Sequence, residues 1–226
     1  MKKRFKFLAF AAIAASLTGC EAITDMIDDT EAMIAEQEEV MSGKLFQIEQ
    51  ATVEYNNGLK FTFTDYGKNC AISDKSKTEE EIIVIKDKST YFLNPEEKTY
   101  MKISNAEDLD IEINSYAMRF VYMAELYKYS VKAGKIETMV TAANFKSEKF
   151  TIAGKSCEGV SYTAGKETVK MAGYKRVMML LEDNSDSEDN DSMRATSFTE
   201  KADAAMLTIP SDYKEVNVND YYDGAE

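Results

Sequence analysis

The chain has 226 residues, with 27 Lys and Arg against 40 Asp and Glu, and a formal net charge of −13. It contains no His, which excludes Ser-His-Asp and Cys-His catalysis and removes the commonest general base and metal ligand. Because so acidic a body repels nucleic acid, we predict no nucleic-acid partner. Hydrophobic residues make up 44% of the chain, enough for a sizeable core.

The N-terminus carries the parts of a secretory signal peptide in their usual order. "MKKRFK" holds four positive charges, and an apolar run follows at 7–17, too short for a spanning helix of about 20 residues. "LTGC", which ends at Cys20, resembles the lipobox of bacterial lipoproteins. The resemblance implies removal of residues 1–19 and acylation of Cys20. The alternative is an ordinary signal peptide with a chance cysteine.

Acylation at Cys20 places the protein at a membrane. Several acyl chains anchor a protein stably in a membrane, whereas a single chain gives only marginal membrane binding. Glu21 is not an obvious inner-membrane retention signal, so we predict a lipid-anchored protein of the cell envelope, at the outer membrane. No later segment approaches 18 consecutive apolar residues, and we predict no transmembrane helix. Loss of the signal leaves 23 cationic against 40 acidic residues, a net charge of −17.

Apolar periodicity then divides the mature chain into segments. Residues 21–42 show apolar residues at three- and four-residue spacing, which predicts a helix within the segment 20–45. It forms either a tether off the membrane or, as we favour, the first helix of the domain, docked on the sheet. Alternation and β-branched runs predict strands at 59–64, 69–74 and 81–87 and a hairpin at 89–103 that turns at 94–98. Helical spacing returns at 113–131 and 136–145. Further strands are predicted at 148–154, 156–163, 168–172, 175–183 and 193–200, followed by an element at 205–216.

Runs of strands with segregated helices predict an α+β fold. We expect one domain over 46–216, followed by an acidic tail at 217–226. The sheet is predicted to be mostly antiparallel and strongly curved, an open β half-barrel with helices packed on its concave face.

Three segments resemble the LolA/LolB-like superfamily of extracytoplasmic proteins and lipoproteins, many of them uncharacterised. They are "IIVIKDKSTYFLNPEEKTYMKI", "FTIAGKSCEGVSY" around Gly154, and "MLTIPSDYKEV" with Ile209, Pro210 and Tyr213. The resemblance implies an open barrel whose concavity holds acyl chains in the carrier members. The soluble carriers differ from this chain in lacking the anchor. The three segments also do not locate the residues with which the carriers gate their cavity, so we carry over no gating residue.

Two cysteines, Cys70 and Cys157, remain beside Cys20 after processing. A pair in an oxidising envelope predicts a disulfide, and the alternative is two buried thiols. The acidic run at 183–191 does not match a calcium-loop pattern, so we predict no metal site, and equally no cofactor and no catalytic residue.

Aromatic and Met residues on alternating positions are candidates to line an apolar cavity, and the alternative is a closed core. The candidates are Phe61, Phe63, Tyr91, Phe92, Tyr116, Phe120, Met123 and Tyr127. The leading hypothesis is thus a non-enzymatic, lipid-anchored envelope protein that binds an acyl chain or a lipoprotein. An interaction or scaffold lipoprotein with a closed core is the alternative, and a hydrolase is a remote third. The sequence leaves the oligomeric state open.

Overall fold

The computed structural model describes residues 31–40, 42–76, 80–104, 116–123, 145–164, 167–184 and 192–217. Helix occurs there at 31–40 (α1) and as a single turn at 116–118, and a 3-10 turn spans Asp65–Gly67. The first six strands are β1 (Ala51–Tyr55), β2 (Leu59–Thr64), β3 (Asn69–Asp74), β4 (Glu81–Lys86), β5 (Ser89–Asn94) and β6 (Thr99–Ser104). The other six are β7 (Phe145–Ile152), β8 (Lys155–Ala164), β9 (Glu167–Tyr174), β10 (Val177–Asp183), β11 (Met193–Thr199) and β12 (Lys214–Val216).

All twelve strands join in one open sheet, in the order β12-β6-β5-β4-β3-β2-β1-β11-β10-β9-β8-β7. Neighbours are antiparallel except β12, which runs parallel to β6 at the edge. The two halves of the chain meet where β1 pairs with β11, with Val53 opposite Phe198. The predicted open and mostly antiparallel sheet is therefore confirmed.

Register places an apolar row across one face of the first half of the sheet. Each member lies directly opposite the next on the neighbouring strand: Val53, Phe61, Ile72, Ile83, Phe92 and Met101. Cross-strand contacts of this kind stabilise a sheet. Because successive side chains alternate between faces, a row of this composition fixes the register of all six strands.

The opposite face of β3 to β6 is covered by the chain after β11. Ala71, Val84 and Leu93 are buried beneath Met206, Leu207 and Tyr213. Polar contacts fasten this strap: Lys98 lies 2.9 Å from Asp212, and Tyr100 donates a hydrogen bond to Glu215 at 3.1 Å. The predicted element at 205–216, with its single proline, therefore covers the sheet and ends as edge strand β12.

The described residues are mostly β, with only two short stretches of α-helix, and the predicted helices on a concave face are not confirmed among them. Of the predicted helix at 113–131, the structure describes 116–123, and only 116–118 are helical. Val121 instead bridges Val177 at the start of β10, and the backbone N–H of Met178 donates to the Phe120 carbonyl at 2.7 Å. β11 pairs with β10 only at Leu180 and Leu181, so the edge of β10 is open to this extended segment. Residues 124–144, with the rest of the predicted helices, lie outside the described residues.

Candidate functional site

Three of the predicted cavity residues form a packed aromatic core. The rings of Phe61 and Phe120 stack at a centroid distance of 4.2 Å, 3° from parallel. Phe63 stacks on Phe46 at 4.1 Å, and Phe46 meets Phe61 edge-on at 5.6 Å. All four side chains are fully buried. The structure thus brings Phe61, Phe63 and Phe120 together as contacts of one another.

The other cavity candidates are dispersed. Tyr91 lies on the opposite face of the sheet, among the residues beneath the strap. Phe92 and Tyr116 meet edge-on at 6.0 Å, and Tyr116 is 40% exposed. Met123 is partly buried against the main core. Tyr127 lies outside the described residues, as do Cys20 and most of the acidic run at 183–191.

Cys70 on β3 and Cys157 on β8 are both buried in the main core, and both are free thiols. The predicted disulfide is therefore absent from the structure, where five strands separate β3 from β8 in the sheet. Burial raises the pKa of Cys70 to about 12 and also raises the pKa of Cys157. Such thiols are poor nucleophiles, because the thiolate is the reactive form.

A polar groove of about 310 Å³ opens beside α1, at the turn between β9 and β10. Its walls come from α1, the segment after it, β8, the extended segment at 120–122, and the β9–β10 turn. The lining residues are Glu36, Gln47, Tyr122, Ser156, Glu158, Gly173, Tyr174, Lys175 and Arg176. This groove is the candidate functional site.

Arg176 is the centre of the groove's charge network. Its side chain is 5% exposed, and its guanidinium donates hydrogen bonds to a Glu39 carboxylate oxygen and, at 3.3 Å, to the Lys44 carbonyl. Its Nε lies 3.6 Å from the Glu36 carboxylate and makes no hydrogen bond within the described part of the chain. Because Glu36 and Glu39 lie one turn apart on α1, Arg176 holds that helix against the sheet.

This network lowers the pKa of Glu39, the acid at its outer edge. The hydrogen bond from Arg176, above all, holds the pKa of Glu39 below its usual range. Lys44, 3.4 Å from Glu39, acts in the same direction. The charged form of Glu39 is therefore the one that the folded protein favours.

The turn that carries Arg176 has an unusual composition. Lys175 and Arg176 have φ angles of 50° and 64° between two paired strands. Two-residue hairpin turns need this left-handed backbone, and Asn or Gly usually supplies it. The β7–β8 turn, with Ala153 and Gly154, follows that preference in part. The β4–β5 turn has the same backbone at Asp87 and Lys88, so this conformation alone does not distinguish the turn that carries Arg176.

Gly173 makes room for the groove's aromatic wall. A Cβ at this position would lie 2.3–2.6 Å from atoms of Tyr122. The backbone N–H of Tyr122 donates to the Arg176 carbonyl at 2.7 Å, which fixes the ring above the glycine. Tyr174, next in the chain, donates its hydroxyl to Glu200 at 3.2 Å.

The sequence analysis missed this site. It placed Lys175 and Arg176 inside a strand at 175–183, whereas they form the turn before β10. One local signal was available: the polar residues Lys175 and Arg176 interrupt two apolar runs. Because neither residue type favours a turn, this interruption was not recognised as one. Nothing local in the sequence pairs Arg176 with Glu36, about 140 positions away.

Neither a metal site nor a membrane span is found among the described residues. That part of the chain holds no cluster of three or more acidic or Cys side chains placed to bind a metal ion. It also holds no helix long and apolar enough to cross a membrane.

Comparisons with known proteins add little. No family model and no curated protein matches the chain. Among solved structures it is similar to an uncharacterized conserved protein from Thermus thermophilus, 8% identical, at a TM-score of 0.40. That match covers 87% of this chain and 99% of the other. A likeness at this level carries no argument about function.

Proposed function

We propose that the chain is a lipid-anchored protein of the cell envelope, at the outer membrane, that acts by binding a partner at its surface rather than by catalysis. The observation that carries the mode of action is the stack of Phe61 on Phe120, which fills the centre of the core. Because this packing fills the centre of the core in the described part of the chain, the surface is favoured as the place of contact. The lipobox-like "LTGC" supports the anchor.

Metabolic labelling tests the anchor. Cells that express the full chain are grown with a radiolabelled fatty acid, and membranes are separated by density. The proposal expects label on the protein and recovery with the outer membrane. Cys20→Ser should lose both, because it removes the thiol that is acylated. Equal labelling of Cys20→Ser would overturn the anchor.

Binding of an apolar ligand, an acyl chain or a lipoprotein, is the second candidate. It is favoured by Phe92, on the apolar face of the sheet, and Tyr116, whose rings meet edge-on and remain partly exposed. The resemblance to the LolA/LolB-like superfamily supports it, as does the expected half-barrel with helices on its concave face. This candidate needs a cavity that the packed core of Phe61, Phe63 and Phe120 does not supply.

A further inference from the structure

We propose that the outer edge of β6 beyond Met101 is a docking surface, and that its occupant is the chain's own C-terminal segment, 218–226. This segment follows β12 in the sequence and lies outside the described residues. The proposal goes beyond the binding of a partner, because it assigns one stretch of the surface to the molecule itself.

The short length of β12 defines the stretch that needs an occupant. β12 pairs with β6 at Thr99, Tyr100 and Met101, which are the first half of a six-residue strand. Within the described residues, no strand pairs with the outer side of 102–104. An open strand edge presents backbone N–H and C=O groups to any extended chain, and proteins usually cover such an edge.

An apolar side chain lies on the same stretch. Ile103 is 38% exposed, one of three large hydrophobic side chains that the described residues leave exposed. It comes two positions after Met101 and therefore points to the same face, where Met101 lies opposite Phe92 on β5. A segment that covers this edge therefore needs an apolar residue beside Ile103.

The direction of β12 leads the C-terminal segment to this stretch. Because β12 runs parallel to β6, the chain after Val216 continues toward the end of β6. Val216 lies opposite Met101, so the same register places Val218 opposite Ile103. The sequence Val-Asn-Val-Asn at 216–219 alternates apolar and polar residues, as a strand with one covered face requires.

The charges of the two surfaces are complementary. Ser89 lies opposite both Lys86 on β4 and Ser104 on β6, so the β4–β5 turn lies at the end of β6 that the segment approaches. Three lysines and one acid belong to this end: Lys86, Lys88, Lys102 and Asp87. Residues 218–226 carry three acids and no cation: Asp220, Asp223 and Glu226. Opposite charges on neighbouring strands stabilise their pairing.

The docked segment closes the edge against other chains. Its backbone pairs with the groups of β6 to which a foreign strand would add, and Val218 covers Ile103. A partner that binds by adding a strand at this edge must therefore displace the segment first. The contact is thus autoinhibitory for that mode of binding.

Hydrogen–deuterium exchange of the full chain, purified in detergent, tests the contact. We expect the outward-facing amides of 102–104 to exchange about tenfold faster in Val218→Asp than in the wild type, because a charge beside Ile103 prevents docking. The matched control is Ala225→Asp, which adds the same charge to the same segment and should exchange like the wild type. Equal exchange in Val218→Asp and the wild type would overturn the proposal, since 218–226 would then not cover the edge.

Cysteine cross-linking provides a second measurement. Opposite Cα atoms on neighbouring strands lie about 4.8 Å apart, a distance that a disulfide spans. Mild oxidation should therefore join Ile103→Cys to Val218→Cys within one chain and should leave the pair Ile103→Cys and Ala225→Cys reduced.

Three results of the cross-linking would contradict the proposal. They are a first pair that stays reduced, two pairs that oxidise equally, and a cross-link between two chains, which would assign the edge to a second copy. None of these results bears on the anchor or on the packed core, which are tested by other measurements.

Discussion

The guanidinium of Arg176 and the carboxylate of Glu36 lie together and are almost fully buried, with 3.6 Å between Nε and Oε1 and side-chain exposures of 5% and 9%. Arg176 belongs to a hairpin turn of the sheet and Glu36 to helix α1. Their contact joins the two parts of the molecule at the candidate groove. Substitutions at this contact and at its neighbours should therefore change measurable properties of the purified protein.

Arg176→Leu should lower the free energy of unfolding by about 3–5 kcal/mol, because it removes the cation from a buried acid. Urea unfolding followed by circular dichroism measures the effect. The control is Lys88→Leu, at the equivalent exposed position of the β4–β5 turn with a φ of 56°. It should change stability by no more than about 0.5 kcal/mol. Equal effects of the two substitutions would show that Arg176 does not hold α1.

Low pH should weaken the ion pair between Arg176 and Glu39. The folded pKa of Glu39 lies below its unfolded value, so its contribution is complete above the unfolded pKa and disappears as the pH falls through the folded one. Because Glu39 is 45% exposed, we expect at most about 1 kcal/mol. Urea midpoints at pH 7 and pH 3 should differ more in the wild type than in Glu39→Gln. The same difference in both proteins would refute the assignment.

Gly173→Ala should destabilise the protein by about 1–3 kcal/mol, because its Cβ would overlap the Tyr122 ring. A double-mutant cycle with Tyr122→Ala isolates the clash. In the Tyr122→Ala background, Gly173→Ala should cost much less, which gives a coupling energy above about 0.5 kcal/mol. If the changes in unfolding free energy of the two substitutions were additive, the destabilisation by Gly173→Ala would not come from contact with Tyr122.

Both internal thiols should resist modification in the native protein. Cys70 and Cys157 are buried, and burial raises the pKa of each, so little thiolate is exposed at neutral pH. A thiol reagent should label neither residue quickly in the folded mature protein and both after unfolding in urea. A chain that shows no thiol in urea and lacks the mass of two hydrogen atoms contains the disulfide predicted from the sequence.

Local sequence patterns were sufficient to predict most of the strands. The predictions at 59–64 and 69–74 coincide with β2 and β3, because both alternate and end at turn residues. β1 was missed, although Ala51, Val53 and Tyr55 alternate with polar residues and Asn57-Gly58 favours a hairpin turn. The apolar spacing from Phe120 to Met123 is compatible with a helix as well as with extended chain. The segment is extended because Val121 pairs with Val177 at the open edge of β10.

The candidate groove depends on contacts that no local pattern contains. Ser156 and Arg176 are brought together by the pairing of β8, β9 and β10, but Glu36 reaches them only because α1, about 120 residues earlier in the chain, docks on the β9–β10 turn. Phe61 and Phe120 were correctly identified as apolar, but composition does not distinguish a lined cavity from a filled core. That distinction depends on side-chain packing across about 60 residues of sequence.

The central claim is that the core is filled and that the partner is met at the surface. Native mass spectrometry with lipid extraction tests it most directly, on residues 21–226 exported behind a cleavable signal peptide. We predict the mass of the bare chain, unchanged after exposure to a fatty acid or an acylated peptide. Non-covalent lipid at close to one molecule per chain would contradict the account and establish the apolar-ligand candidate in its place.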